Sequence, residues 1–191
     1  MTDTAKLLAV AQEAVEIGYK LIRNARDVHI MEKGDRDLVT DVDVAIERDV
    51  RTFLEHETPE IGFLGEEDGG QAVGDVETCV WTLDPIDGTS NFAHGVPLCA
   101  VSLGLVRGGE TVVAAMVAPF LELRYYAQKN NGAFANGQRI SVSPTKDMTK
   151  AIVSVGDYAV GENAAQKNLK RLRLTALLAE RVERVRRRQA S

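Results

Sequence analysis

The chain has 191 residues, 45% hydrophobic, 27% charged and 5% aromatic, a balance that excludes disordered and fibrous proteins and suffices for one sizeable core. Its formal net charge of −5 argues against a nucleic-acid partner, which calls for a basic surplus. No stretch approaches the roughly 18 consecutive apolar residues of a membrane span, and Lys6, Glu13 and Glu16 interrupt the apolar run of a signal peptide, so a cytoplasmic protein with no membrane partner is expected.

Taken in chain order, Leu7, Leu8, Ala11, Ala14, Val15, Gly18, Leu21 and Ile22 recur at helical spacing and predict an amphipathic helix over residues 4–25. The polar run Glu32–Arg36 breaks that pattern. A second helix is expected from Thr40 or Asp41, with Val42, Ala45, Ile46, Val50, Phe53 and Leu54 on one face. Thr40 can cap it, Asp41 and Asp43 suit the positive end of its dipole, and Pro59 ends it.

Short strands follow at Ile61–Leu64, Cys79–Leu83, Ala100–Val106, Thr111–Val117 and Leu123–Gln128. The tight turns Gly108-Gly109 and Pro119-Phe120 favour antiparallel pairing of the last three. Asn130-Asn131-Gly132 and Asn136-Gly137 are further turn signals. A strand at Ile152–Val155, a helix at Ala164–Glu180 and a strand at Val182–Arg188 complete an α+β chain, expected to form a single domain over residues 1–191. Cys79 and Cys99 sit in apolar runs and are expected to be buried, reduced thiols. His29, His56 and His94 are too dispersed for a zinc site.

The chemistry is concentrated in acidic residues of the first half. In Trp81-Thr82-Leu83-Asp84-Pro85-Ile86-Asp87-Gly88-Thr89, an apolar strand delivers Asp84 to the sheet's edge, where Pro85 is expected to stop the strand. Asp87 follows within one turn, so both carboxylates can face the same point. Gly88 permits close backbone approach, and a helix opening at Thr89 offers free N–H groups to an anion. Paired hard oxygen ligands beside an anion-binding turn are what a magnesium-assisted phosphate reaction requires. An Asp-Pro turn alone is usually a mere connector; the full string is far more specific. The two residues between the aspartates also separate it from haloacid-dehalogenase-type phosphatases, whose aspartate pair is split by one. Gly62–Gly70 repeats the device: a short strand delivers Glu66 and Glu67 into a glycine-rich loop, and an adjacent strand would set Glu66 beside Asp84. Lys33–Asp43 taken alone is a loop leading into a capped helix.

These three segments, in this order, resemble the inositol monophosphatase family, and the resemblance extends through Asn131-Gly132-Ala133-Phe134 and Asn136-Gly137. It implies a layered αβαβα sugar-phosphatase-like fold, with N-terminal helices on a largely antiparallel sheet. It also implies Mg2+ dependence, inhibition by lithium, a homodimer, and a small phosphorylated metabolite as substrate. Inositol 1-phosphate or a related polyol phosphate comes first; histidinol phosphate and a phosphoadenosine phosphate are alternatives. Carried over by position, Glu66, Asp84 and the Ile86 carbonyl hold one magnesium, and Asp84 and Asp87 contribute to a second. Backbone N–H groups of Gly88 and Thr89 bind phosphate, and Lys33 steers the anion. The Thr89 hydroxyl, hydrogen-bonded to Asp43, helps Glu66 activate a water for in-line attack without a covalent intermediate.

One family signature, a C-terminal Trp-Asp pair, has no counterpart, because Trp81 is the sole tryptophan. The resemblance therefore implies a C-terminally truncated domain with an incomplete final αβ layer, an open edge at Val182–Arg188 and a second metal site short of one carboxylate. Weak or absent activity is expected of these 191 residues, or a non-catalytic metal- or phosphate-binding role.

Overall fold

The computed structural model describes residues 4–34, 37–67, 79–147, 150–151 and 163–173, with the side chains of 32–34 and 37 excepted. The chain divides into two compact units, Met1–Ser141 and Val142–Ser191. In the second, residues 164–173 are helical, with Leu169 and Leu172 half exposed. The expected strands at Ile152–Val155 and Val182–Arg188, and the end of the helix expected at Ala164–Glu180, lie outside the described residues.

The first unit opens with helix α1 (Thr4–Asn24), whose buried stripe runs Leu7, Val10, Ala11, Ala14, Val15, Gly18 and Ile22. That spacing is the one a helix needs to lay one apolar face on a sheet. Strands β1 (Ile30–Gly34) and β2 (Asp37–Thr40) then pair antiparallel, Ile30 opposite Thr40. The loop expected from Lys33 up to the capped helix is thus corrected to part of a hairpin, with residues 35 and 36 between its strands. Its polar residues mask a strand pattern because a two-stranded ribbon need bury no continuous apolar face.

Helix α2 (Asp41–Glu57) starts at Thr40 as expected, in a reciprocal capping box: the Thr40 side chain accepts from the Asp43 N–H and the Asp43 carboxylate accepts from the Thr40 N–H at 2.8 Å. At its other end, the Thr58 N–H and hydroxyl both donate to the Leu54 carbonyl.

Among the described residues, seven strands form the main sheet, in sequence order from β3 to β9: β3 (Gly62–Gly65), β4 (Cys79–Asp87), β5 (Ala100–Arg107), β6 (Glu110–Ala118), β7 (Leu123–Gln128), β8 (Gly132–Ala135) and β9 (Gln138–Ile140). Of these seven, β3 and β4 pair in parallel, and each later pair of neighbours is antiparallel. Asn130 and Asn136 adopt positive φ in the turns flanking β8, as their short polar side chains allow. The two short strands those turns introduce, β8 and β9, have too few residues to give a sequence pattern.

The core lies between α1, α2 and one face of the sheet. Alternate residues Val101, Leu103 and Leu105 of β5 and Val113, Ala115 and Val117 of β6 are buried. Trp81 of β4 is fully buried, and its indole N–H donates to the Thr58 hydroxyl at 3.0 Å. Gly18 lets α1 approach closely, since a Cβ there would come within 2.7 Å of Val101 and 3.3 Å of Ile46. Among the described residues, no helix is long and apolar enough to cross a membrane. Both cysteines are free thiols, Cys99 buried and Cys79 only half-buried.

Candidate active site

Strand β4 does not end at Asp84. Pro85 and Ile86 continue it to Asp87, at the cost of a register shift: Asp84 stands opposite Ser102, and Asp87 opposite Ala100. Three steps along β4 therefore match two along β5, the signature of a bulge. Proline, which has no N–H to donate, is tolerated at such a bulge. Residues three apart on a flat strand point to opposite faces. The extra residue cancels that inversion, so Asp84 and Asp87 face the same side, as Ser102 and Ala100 do. The expectation that Pro85 stops the strand is corrected, and the correction explains why the two carboxylates converge.

Parallel pairing of β3 with β4 sets Gly65 opposite Leu83, which brings Glu66 level with Asp84 just past the last paired residue. Asp84 is half-buried between two exposed carboxylates, Glu66 and Asp87. Its pKa is raised to about 7, first by burial, then by the negative charges of Glu66 and Asp87, by a hydrogen bond shared with the Glu66 side chain, and last by the charge of Asp43. Its Oδ1 is buried with no hydrogen-bond partner among the described residues. Among those residues, no three Asp, Glu, His or Cys side chains stand close enough together to hold a metal ion as they are placed; Glu66 and Asp87 are exposed beside Asp84, while Asp43 is buried.

After the bulge, Gly88 adopts φ 86° and caps the short helix α3 (Thr89–Ala93). Only glycine suits it, because a Cβ would lie 2.9 Å from the Leu98 carbonyl oxygen. That carbonyl also accepts from the Asn91 side chain at 2.8 Å, which fastens α3 to the start of β5. The Thr89 hydroxyl lies 2.8 Å from the Ile86 carbonyl and 3.3 Å from Asp43 Oδ1. Asp43 is itself buried, and burial raises its pKa against the lowering effect of hydrogen bonds from Thr40 and Thr89. Nearby, burial and the charges of Asp43 and Asp87 push the Cys99 thiol up to about 11, so it stays protonated and is no nucleophile.

The structure thus brings together Glu66, Asp84, Asp87, Ile86, Gly88, Thr89 and Asp43. Lys33 is in β1, and its side chain lies outside the described residues. One residue the sequence reading passed over is Glu47, one turn beyond Asp43 on α2 and 2% exposed. It accepts from the Glu67 N–H at 2.8 Å. An acidic residue beside Ile46, on the apolar face of a helix, is the signal that could have found it.

Residues 3–190 match the family model described as the inositol monophosphatase family. The chain belongs to the inositol monophosphatase family. Its relatives include an inositol monophosphatase of Dictyostelium discoideum, 40% identical over 159 residues that make up 81% of this chain and 57% of the relative. A histidinol-phosphatase of Mycobacterium tuberculosis (strain ATCC 25618 / H37Rv) is 38% identical, over 80% of this chain and 59% of its own. Among solved structures, the extragenic suppressor protein suhB from Bartonella henselae superposes with a TM-score of 0.69 at 31% identity, covering 76% of this chain and 56% of that one. The chain thus spans less than two thirds of the length of the relatives it matches. The two curated relatives named here are phosphatases, and the chain has the α+β architecture expected of the family.

The oxygen donors of this inositol monophosphatase fold suit a hard divalent cation. They are carboxylates of Glu66, Asp84 and Asp87 with the Ile86 carbonyl nearby, and no thiolate or imidazole is among them. Asp84 Oδ1, without a hydrogen-bond partner among the described residues, is the specific point of fit, since a buried carboxylate oxygen is costly unless a cation or a proton satisfies it.

Proposed function

We propose that the protein hydrolyses a small phosphate monoester, most simply inositol 1-phosphate or a related polyol phosphate, with magnesium held by Glu66, Asp84, Asp87 and the Ile86 carbonyl. The observation that carries this reading is the buried Asp84 Oδ1, which has no hydrogen-bond partner among the described residues, with the carboxylates of Glu66 and Asp87 acting on the same side chain. Bound there, magnesium would supply Lewis acidity toward phosphate oxygens and lower a water's pKa from about 15.7 toward about 7.

The chain's own residues do the rest. Gly88 and Thr89 turn their backbone N–H groups toward the phosphate, a task for which the left-handed Gly88 keeps the turn tight. Glu66, exposed at the rim, accepts the proton of the attacking water. The Thr89 hydroxyl, held between the Ile86 carbonyl and Asp43, orients that water, and Asp43 fixes the hydroxyl. Lys33 draws in the anionic substrate. No side-chain nucleophile takes part, in keeping with the protonated Cys99. Homodimer formation and a cytoplasmic place of action belong to the same reading and come from the family resemblance. Histidinol phosphate is the second candidate substrate, because one relative is a histidinol-phosphatase.

The test is release of inorganic phosphate from inositol 1-phosphate and, separately, histidinol phosphate, across a magnesium titration. The expected outcome is release, slow or fast, that requires magnesium and disappears in Asp87→Asn. Release that survives both EDTA and Asp87→Asn would overturn the reading.

A further inference from the structure

We propose that Glu47 is a positioning residue that sets the Glu66 carboxylate in register with Asp84, an inference that rests on the metal-site reading above. Glu66 stands between two residues that both bear on the Glu47 carboxylate. On one side, the Glu67 N–H donates to Glu47 Oε2 at 2.8 Å. On the other, Gly65 is packed so tightly against the same group that a Cβ would fall 2.2 Å from Glu47 Cδ and 2.3–2.4 Å from its oxygens. The peptide that carries Glu66 is therefore gripped from before and after by one side chain. Glu66 itself, exposed at the rim, gains no fixed position from packing.

The grip is rigid because Glu47 is anchored. It is 2% exposed on α2, and Arg51 one turn later approaches it at 3.3 Å. The Arg51 guanidinium also lies over the Phe63 ring at 4.8 Å, and Phe63 is a buried residue of β3, the strand that leads to Glu66. A charge buried this deeply is costly unless paired. Here the cost is offset by a cation and a backbone donor, both on the path to the site. Gly65 has no positive φ to explain it; the space it leaves is filled by the Glu47 carboxylate. Residues behind a metal ligand that fix its orientation typically change metal affinity by about 10–100-fold when removed.

The test uses the whole chain, with two readouts: hydrogen exchange of the Glu67 amide and Mn2+ affinity by electron paramagnetic resonance. In Glu47→Ala the Glu67 amide should exchange faster and Mn2+ affinity should fall by about tenfold or more. Glu47→Gln, which keeps an acceptor for that amide, should restore protection and most of the affinity. Gly65→Ala should weaken Mn2+ binding in the parent but add little in Glu47→Ala, where the clashing carboxylate is gone. This variant pair keeps the question answerable if Glu47→Ala alone folds poorly. Asp84→Asn should lose Mn2+ while its Glu67 amide stays protected. A faster Glu67 amide in Glu47→Ala with unchanged Mn2+ affinity would overturn the positioning role and leave the metal site standing. A parent chain that takes up no Mn2+ would overturn the metal-site reading and the positioning role with it.

Discussion

Asp43 and Glu47 stand one helical turn apart on the buried face of α2, and each holds a different segment of the carboxylate site. Asp43 Oδ1 lies 3.3 Å from the Thr89 hydroxyl beyond β4, while Glu47 Oε2 takes the Glu67 N–H beyond β3 at 2.8 Å. Side chains four apart on a helix share a face, so one rigid element spaces both segments. The capping box at Thr40 fixes where that helix begins, and hence where both carboxylates stand.

The first prediction concerns pH. The Asp84 pKa is raised from 3.8 to about 7, so the folded protein binds a proton that the unfolded chain has released. Stability from this group is full below pH 3.8, falls between there and about 7, and stays at its lower level above. Asp84→Asn removes that dependence. In EDTA at pH 8 the variant should melt at a higher temperature than the parent, with the advantage vanishing near pH 4. Differential scanning calorimetry at the two pH values decides this.

Thr89→Val keeps the shape of the side chain and removes the hydroxyl held between Ile86 and Asp43. If that hydroxyl orients the attacking water, kcat should fall by about a hundredfold or more, the range for proton-transfer assistance. Thr89→Ser should retain most activity. Steady-state phosphate release with KM resolved from kcat is the check.

At Gly88, φ 86° and the nearby Leu98 carbonyl both oppose any side chain. Gly88→Ala should cost about 1–2 kcal/mol in denaturant unfolding from the left-handed backbone alone, with the contact to Leu98 adding to it. Phosphate release should suffer more than stability does, because the strain lies at the substrate turn.

Thr58→Val leaves the buried Trp81 indole N–H without its acceptor. The unfolding free energy should drop by about 1–3 kcal/mol, the cost of one unsatisfied buried donor. Trp81 is the chain's only tryptophan, so its emission reports this unfolding directly.

Much of this was readable in the sequence because local signals and tertiary demands agree. The stripe from Leu7 to Ile22 gives α1, and Thr40 with Asp43 gives the start of α2. The Asp84–Thr89 string is informative because proline, glycine and two aspartates each answer a backbone or ligand requirement. What stayed hidden depends on pairing between distant residues. The bulge at Pro85-Ile86 is defined only against Ser102 and Ala100 of β5. The β1–β2 hairpin places its apolar residues side by side, Ile30 with Met31 and Leu38 with Val39, so it has no alternating period to read. Glu47 carries a local signal, a carboxylate on the apolar face of α2, but what it holds is set only when β3 brings Gly65 and Glu67 against it.

The central claim, that Asp84 and its neighbours form a magnesium site, is tested most directly by isothermal titration calorimetry with MgCl2 at pH 8. The account predicts a saturable binding heat in the parent chain that is lost in Asp84→Asn while circular dichroism shows the same fold. Equal heats in the two proteins, or no magnesium binding by the folded parent, would contradict it.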